Sequence, residues 1–374
     1  MSQVSRRDGL DVLVLGPFPP PLGGVSAHVV RLHHAFTRDG LALGVANHFS
    51  SSADAPEVVA VLARNPLRYC WCLLRVRSRI VHYHHSRLAM LLATAAVARF
   101  DRRPYIATFH GGTIVESLAS RTPLVARMTR WAIRQFAEVV VVNAELAEHF
   151  TEIVPRERLT VIPAFLPPLE DESSSSAMDE AVDAAITAGQ PALVASAYRV
   201  SPERDGSDPY GLDLAVQAVE LLESRGFAPT LSVFVALPSG SRRERDYLAA
   251  LADRVTRTTG RQLVVRFAEQ LLPALQRNVV YLRPTRADGD AVSVREALSL
   301  GVPVVASDVV GRPNGVVLFA NGRADALADA IVDVLDGPGF TSDAHDDVQE
   351  TLTPLRAVYE RQLRRTRMSP ERAA

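Results

Sequence analysis

The chain has 374 residues, 47% of them apolar and 22% charged, with a formal net charge of −1. That is too long for one compact domain and comfortable for two, and the composition excludes a globally disordered chain. All 41 basic residues are arginines, so any anion held by a side-chain cation must be held by a guanidinium or by histidine.

The first eleven residues, MSQVSRRDGLD, lead into a strand-like run without the apolar core of a signal peptide. That run, DVLVLG (11–16), is short, apolar and rich in β-branched residues, as are RIVHY (79–83), PYIATF (104–109), EVVVV (138–142) and LTVI (159–162). Helical patterns lie between them, as at 24–38 and 120–136. This alternation predicts a parallel sheet covered by helices on both faces. Strand 11–16 ends in prolines, and Gly23-Gly24 then opens the helix at 24. A glycine pair there suits backbone N–H groups approaching a phosphate, and equally suits a plain turn.

Cys70 and Cys72 flank Trp71 and form no disulfide framework, so a reduced, cytoplasmic protein is expected. With His82, His84 and His85 they lack zinc-type spacing, and His82 and His84 alternate along a strand as packing residues do; no metal site is expected. The apolar run Leu88 to Ala98 holds about eleven residues, short of the ~20 that span a bilayer. His110 follows the strand 104–109 and precedes Gly111-Gly112; that is a place for a site residue or for a structural histidine. Stretches 65–80 and 119–136 mix arginine with tryptophan and aliphatic residues, with Arg127, Arg130 and Arg134 on one helical face, as interfacial helices do.

At 167–191 the sequence becomes polar, acidic and serine-rich and reads as a linker. It also divides the charge: up to Leu169 there are 19 arginines against 12 acidic residues, and afterwards 22 against 30. Strand candidates resume at 192–196, 230–236, 263–268, 279–283, 302–307 and 315–319, separated by helical stretches 211–224, 243–258, 291–300 and 323–335. A polar helix at about 346–366 closes the chain. Arg199 ends the first of these strands, and Arg204 lies in the polar loop after it. An arginine there can grip a diphosphate bidentately or lie solvated on the surface. In the segment 283–311 a Gly/Asp loop containing Asp288 leads into a helix that carries Glu296 eight residues later. Carboxylates accept from sugar hydroxyls, and a helix start offers N–H groups to phosphate.

These motifs make the chain similar to a family-4 glycosyltransferase of the GT-B fold: the GGVSAHVVRL opening, His82-x-His84, ATFHGG, the strand-end Arg199 and above all DGDAVSVREALSLGVPVVAS. The last resembles the family's E-x7-E motif, with Asp288 in the first position and Glu296 in the second. The resemblance implies two Rossmann-like, doubly wound domains facing a central cleft. The boundaries are 1–168 for the acceptor-side domain, 169–190 for the linker, 191–344 for the nucleotide-sugar domain and 345–374 for a helix crossing back. It implies that Gly23 and Gly24 approach the donor diphosphate, that His110 lines the acceptor side and that Arg199 stabilises the leaving group. Asp288 would touch sugar hydroxyls, the backbone of Gly289, Asp290, Ala291 and Val292 the phosphates and sugar, and Glu296 the ribose.

The implied reaction moves a sugar from a nucleotide-diphosphate sugar to a glycan, lipid-linked sugar or small molecule, with retention and without metal or other cofactor. A peripheral position on the anionic inner face of the plasma membrane fits the basic stretches, and no nucleic-acid partner is expected. Two positions depart from the family pattern: Tyr210 stands where the family has a lysine, with Arg204 as the cation at hand to replace it, and Asp288 is one methylene shorter than glutamate. A non-catalytic sugar-nucleotide-binding subunit and a nucleotide-sugar epimerase are the alternative readings.

Overall fold

The computed structural model describes residues 9–20, 23–47, 54–62, 65–84, 87–111, 113–169, 178–200, 202–203, 205–238, 240–289, 291–337 and 347–368. The chain divides into two compact units, one of Met1–Pro20, Val25–Leu166 and Asp347–Ala374, the other of Pro21–Gly24 and Pro167–Asp346.

The first unit is built on seven parallel strands: β1 (Leu10–Leu15), β2 (Leu43–Asn47), β3 (Val58–Val61), β4 (Ser78–Tyr83), β5 (Tyr105–Phe109), β6 (Glu138–Val141) and β7 (Leu159–Val161). Their order is β3-β2-β1-β4-β5-β6-β7. Helices α1 (Gly24–Arg38), α2 (Pro66–Arg75), α3 (Leu88–Phe100), α4 (Thr113–Leu118), α5 (Pro123–Arg134) and α6 (Ala144–Glu148) connect them. The strands read as continuous apolar runs because both faces are covered: Val12 to Leu15 of β1 are fully buried. β2 and β3 are absent from the predicted strands; their four or five residues, interrupted by Gly44 or alternating out to solvent, are too short to show a period. The helix predicted over 120–136 begins instead at Pro123, which takes the first helical turn, where its missing N–H costs nothing.

The second unit has six parallel strands, β8 (Ala192–Ala197), β9 (Thr230–Val235), β10 (Val264–Phe267), β11 (Val280–Arg283), β12 (Val304–Ser307) and β13 (Val316–Phe319). All six predicted strands are present, in the order β10-β9-β8-β11-β12-β13. The helices are α7 (Glu180–Ala188), α8 (Leu212–Ser224), α9 (Arg242–Thr259), α10 (Leu272–Leu275), α11 (Val292–Ser299) and α12 (Ala324–Asp336). In both sheets the order reverses once, between β1 and β4 and between β8 and β11, and the strand carboxyl ends at such a reversal open a crevice for ligands.

The stretch read as a linker at 169–190 is in part regular structure. Residues 170–177 lie outside the described residues, but α7 is a true helix, capped by the Asp179 carboxylate, which accepts from the N–H of Ala181 (2.9 Å) and Val182 (3.1 Å). Val182 is buried with Val194, Phe234 and Tyr281. Serine and acid content masked an amphipathic run of alanine, valine and isoleucine. The closing helix, α13 (Asp347–Met368), packs in the first unit, where Leu355, Val358 and Tyr359 join Val12, Val14, Leu32 and Phe36. The Gln362 amide donates to Glu138 Oε2 at 2.9 Å and the Thr351 hydroxyl to Pro163 O at 3.0 Å, which fixes its register.

Candidate active site

At the reversal of the second sheet, β8 and β11 deliver Arg199 and Arg283 to the strand ends. Arg199 lies two residues past β8, its side chain exposed, with no ion-pair partner among the described residues. Arg283 is the last residue of β11 and grips Asp288 with both edges of one fork: Nε to Oδ2 and Nη2 to Oδ1, each 2.9 Å. Arg312, with only 2% of its side chain exposed, donates to the same Oδ2 from Nη1 at 2.8 Å. The Thr285 hydroxyl (3.1 Å) and the Gly289 N–H (3.0 Å) donate to this carboxylate too. Burial alone would raise the Asp288 pKa, but the charge and hydrogen bonds of Arg283, then of Arg312, hold it well below the usual carboxylate range. Two guanidinium groups around one carboxylate leave a net positive charge at these strand ends.

Asp288, expected to meet sugar hydroxyls, is bonded here to two arginines, and the Gly289 N–H, expected to meet phosphate, donates to Asp288. The helix start itself is different. Ala291 precedes α11 with extended backbone and gives no side-chain cap, so the N–H groups of Val292 and Ser293 keep the orphan character of a first turn and its positive dipole end. Tyr281 anchors that turn: its hydroxyl lies 2.7 Å from both Ser196 Oγ and Ser293 Oγ, tying β8, β11 and α11 together. Glu296 is half-buried one turn further along α11. Asp290 and Arg204 lie outside the described residues.

The polar loop before α8 is built around Asp208, which is 1% exposed and accepts from the N–H of Tyr210 (2.8 Å) and Leu212 (2.9 Å) and from the Tyr247 hydroxyl. Gly211 has φ 68°, and a Cβ there would stand 1.9 Å from Pro284 O, so only glycine lets this loop lie against the β11 exit. The arrangement sets the Tyr210 ring 5.8 Å from the Arg283 guanidinium carbon. Tyr210, the residue expected in place of the family's lysine, is thus a ring facing a guanidinium.

Gly23 directly precedes α1 and Gly24 is its exposed first residue; both fall in the second unit, the rest of α1 in the first. A Cβ on Gly24 would meet no atom closer than 3.8 Å. Next to the reversal of the first unit's sheet sits a group of histidines. His110, half-buried just past β5, has Nε2 2.9 Å from Nδ1 of His84, which lies just past β4. The His28 ring, from α1, is 5.0 Å from that of His110 and 5.4 Å from that of His84. His28 Nδ1–H donates to Ala164 O at 2.7 Å, and burial lowers its pKa to about 4. Burial, then the neighbouring His28 and His82, push His110 well below the ordinary histidine value. His82 is a packing residue: its nitrogens pair with the hydroxyls of Tyr359 and Thr108, both at 2.7 Å. Of the other residues weighed for metal, Cys70 makes a weak contact with Ala93 O and His85 lies outside the described residues.

The structure therefore brings Arg199, Asp288, Gly289, Ala291, Val292 and Glu296 to one end of one sheet and His110 to one end of the other, with Gly23 and Gly24 at the start of α1. The sequence reading missed Arg283, Arg312 and His28. Arg283 carried a signal, a charged residue ending an apolar strand just before proline. Arg312 and His28 carried none, because Asp288 lies 24 residues from Arg312, and His84 and His110 lie 56 or more residues from His28.

Residues 22–168 match the model of glycosyltransferase family 4 and residues 206–337 that of the group 1 glycosyl transferases. A search of curated protein sequences returned no match. Among solved structures, a glycosyltransferase of Rickettsia africae ESF-5 superposes with a TM-score of 0.66 at 12% identity, covering 95% of this chain and 99% of its own. Sucrose-phosphate synthase of Thermosynechococcus elongatus gives 0.67 at 15% identity over 96% and 98%. Anabaena HepE, solved with UDP-glucose, gives 0.65 at 16% identity over 96% and 100%. At such identities the likeness speaks for the fold.

Proposed function

The chain belongs to the family-4 glycosyltransferases of GT-B fold, and from that membership we propose that it transfers a sugar from a nucleotide-diphosphate sugar to an acceptor hydroxyl with retention of anomeric configuration. The observation that carries this reading is the cationic strand end of the second unit: exposed Arg199, latched Arg283 and the uncapped first turn of α11. As the glycosidic bond breaks, charge grows on the diphosphate. Guanidinium groups and oriented N–H dipoles already in place stabilise it without reorganising. Glu296 receives the ribose hydroxyls as acceptor. Asp288 acts here as a positioning residue that aims Arg283 and the loop, and this scheme uses no metal ion. Gly23 and Gly24 leave room for the donor, and His110 lines the acceptor side. The residues up to 168, with the closing helix, form the acceptor domain.

No helix among the described residues is long and apolar enough to cross a membrane. The acceptor reading that fits the exposed Trp71 and Trp131 beside arginines is a lipid-linked one, met at an anionic surface. The test is incubation with UDP-, GDP-, ADP- and dTDP-sugars and separation of the products. Slow release of free nucleotide and sugar supports glycosyl transfer. An epimerised sugar nucleotide makes the chain an epimerase, and binding with no turnover makes it the non-catalytic subunit that Tyr210 and the committed Asp288 would suit.

A further inference from the structure

We propose that His28, His84 and His110 form a binding site for one divalent transition ion of the Zn2+ type. The three come from separate elements, α1 and the exits of β4 and β5, and one nitrogen from each lies within 4.8 Å of the others. Zn–N bonds are about 2.0–2.1 Å, so tetrahedral imidazole nitrogens stand roughly 3.3 Å apart. Small ring rotations bring the trio to that spacing; the His84–His110 pair, now at 2.9 Å, opens slightly and the third ring moves in.

The chemistry of the set fits. A carbonyl oxygen only accepts, so the 2.7 Å contact to Ala164 puts the His28 proton on Nδ1 and the lone pair on Nε2. A backbone carbonyl behind the ring is what orients metal-bound histidines. Burial keeps His28 and His110 neutral near pH 7, the form that ligates. The hydrogen bond between His84 and His110 gives way to two N–metal bonds. Its proton moves to the other nitrogen of the same ring, so both imidazoles stay neutral and none is released. Three imidazoles and no carboxylate select Zn2+, Co2+, Ni2+ or Cu2+ over Mg2+ and Ca2+. The half-buried His110 and the open space at Gly111, where an added Cβ would meet nothing within 4 Å, give an entry side and a remaining position for water. Arg31, whose guanidinium donates to Leu166 O at 3.0 Å, lowers the affinity by its charge near His28. An ion held here takes His110 out of acceptor binding, although the binding itself needs no part of the glycosyl-transfer reading.

The experiment titrates metal-free protein with Co2+ and follows the visible d–d bands, with Mg2+ as the contrasting probe. One equivalent should give four-coordinate bands. His28→Gln, His84→Gln and His110→Gln should each weaken binding by at least about tenfold. Zn2+ should raise the melting temperature of the wild type and leave that of the variants unmoved. His110 is only half-buried, so His110→Gln serves if the other two variants fail to fold. A wild type without Co2+ bands overturns the proposal. So do bands and a Zn2+ shift that persist in His110→Gln and vanish in a variant of the exposed His34.

Discussion

Arg199 differs from its neighbours in pairing with no carboxylate among the described residues. Arg283 and Arg312 share Asp288, whereas Arg199 stands exposed beyond β8, its charge reaching the Glu244 carboxyl, which is held low chiefly by the N–H groups of Ser241 and Gly240. A cation with unspent donors can bind charge that appears only in the transition state. Arg199→Ala should lower turnover by roughly 10²-fold or more, and Arg199→Lys should recover part of it, since a point charge lacks the fork. Unchanged turnover in the alanine variant would remove Arg199 from the mechanism. In the proposed reading Glu296 binds the donor by contrast: Glu296→Gln exchanges an acceptor oxygen for a donor, a mismatch of about 1–3 kcal/mol. A raised donor KM with little change in kcat is expected from steady-state kinetics; an unaltered KM would make Glu296 a plain helix residue.

The β11–α11 element depends on the Arg283–Asp288–Arg312 latch. Asp288→Asn keeps the shape but leaves two guanidinium groups, 12% and 2% exposed, facing a neutral amide. Losing the charge of a buried pair is destabilising by about 3–5 kcal/mol, which urea denaturation would read. The pH dependence has a definite sign. The folded Asp288 pKa is depressed, so its contribution is fully present above the unfolded carboxyl value of about 3.9 and is lost as pH falls below it. Wild-type stability should therefore fall more steeply than that of Asp288→Asn below about pH 4. Parallel acid limbs would mean that the latch carries no net electrostatic stabilisation.

On the scale of the whole molecule, the first unit carries the excess of arginine and also a face of exposed aromatic and aliphatic side chains. α3 packs against both α2 and α5. Leu67, Trp71 and Leu74 of α2 and Leu124, Met128 and Trp131 of α5 are exposed, among exposed Arg68, Arg75, Arg127, Arg130 and Arg134. The Arg75 guanidinium carbon stacks 3.9 Å over the Trp71 ring. At ~1 kcal/mol per arginine near an anionic surface, such a face gives reversible, salt-sensitive docking. Sedimentation with phosphatidylglycerol vesicles should carry the protein down at low salt and release it at high salt. Trp71→Ser with Trp131→Ser should weaken this, and equal recovery with neutral vesicles would exclude docking.

What the sequence determined by itself is what rests on local period and short motifs. Apolar runs of four to six residues between amphipathic stretches specified eleven of the thirteen strands and the parallel α/β class. The segment from Arg283 to Gly311 specified its own strand–loop–helix–strand order, because each turn and cap lies within a few residues of the element it ends. Tertiary structure decided the partners. The bond from Arg312 to the Asp288 oxygen spans 24 residues, and His110 reads as a lone histidine until α1 brings His28 beside it. α13 reads as a polar helix, expected from the resemblance to cross back to the first domain, and its contact is Tyr359 on His82, 277 residues earlier. Such pairings follow from strand order and from which face a helix buries. Those are set by the burial of the whole sheet, which no local window contains.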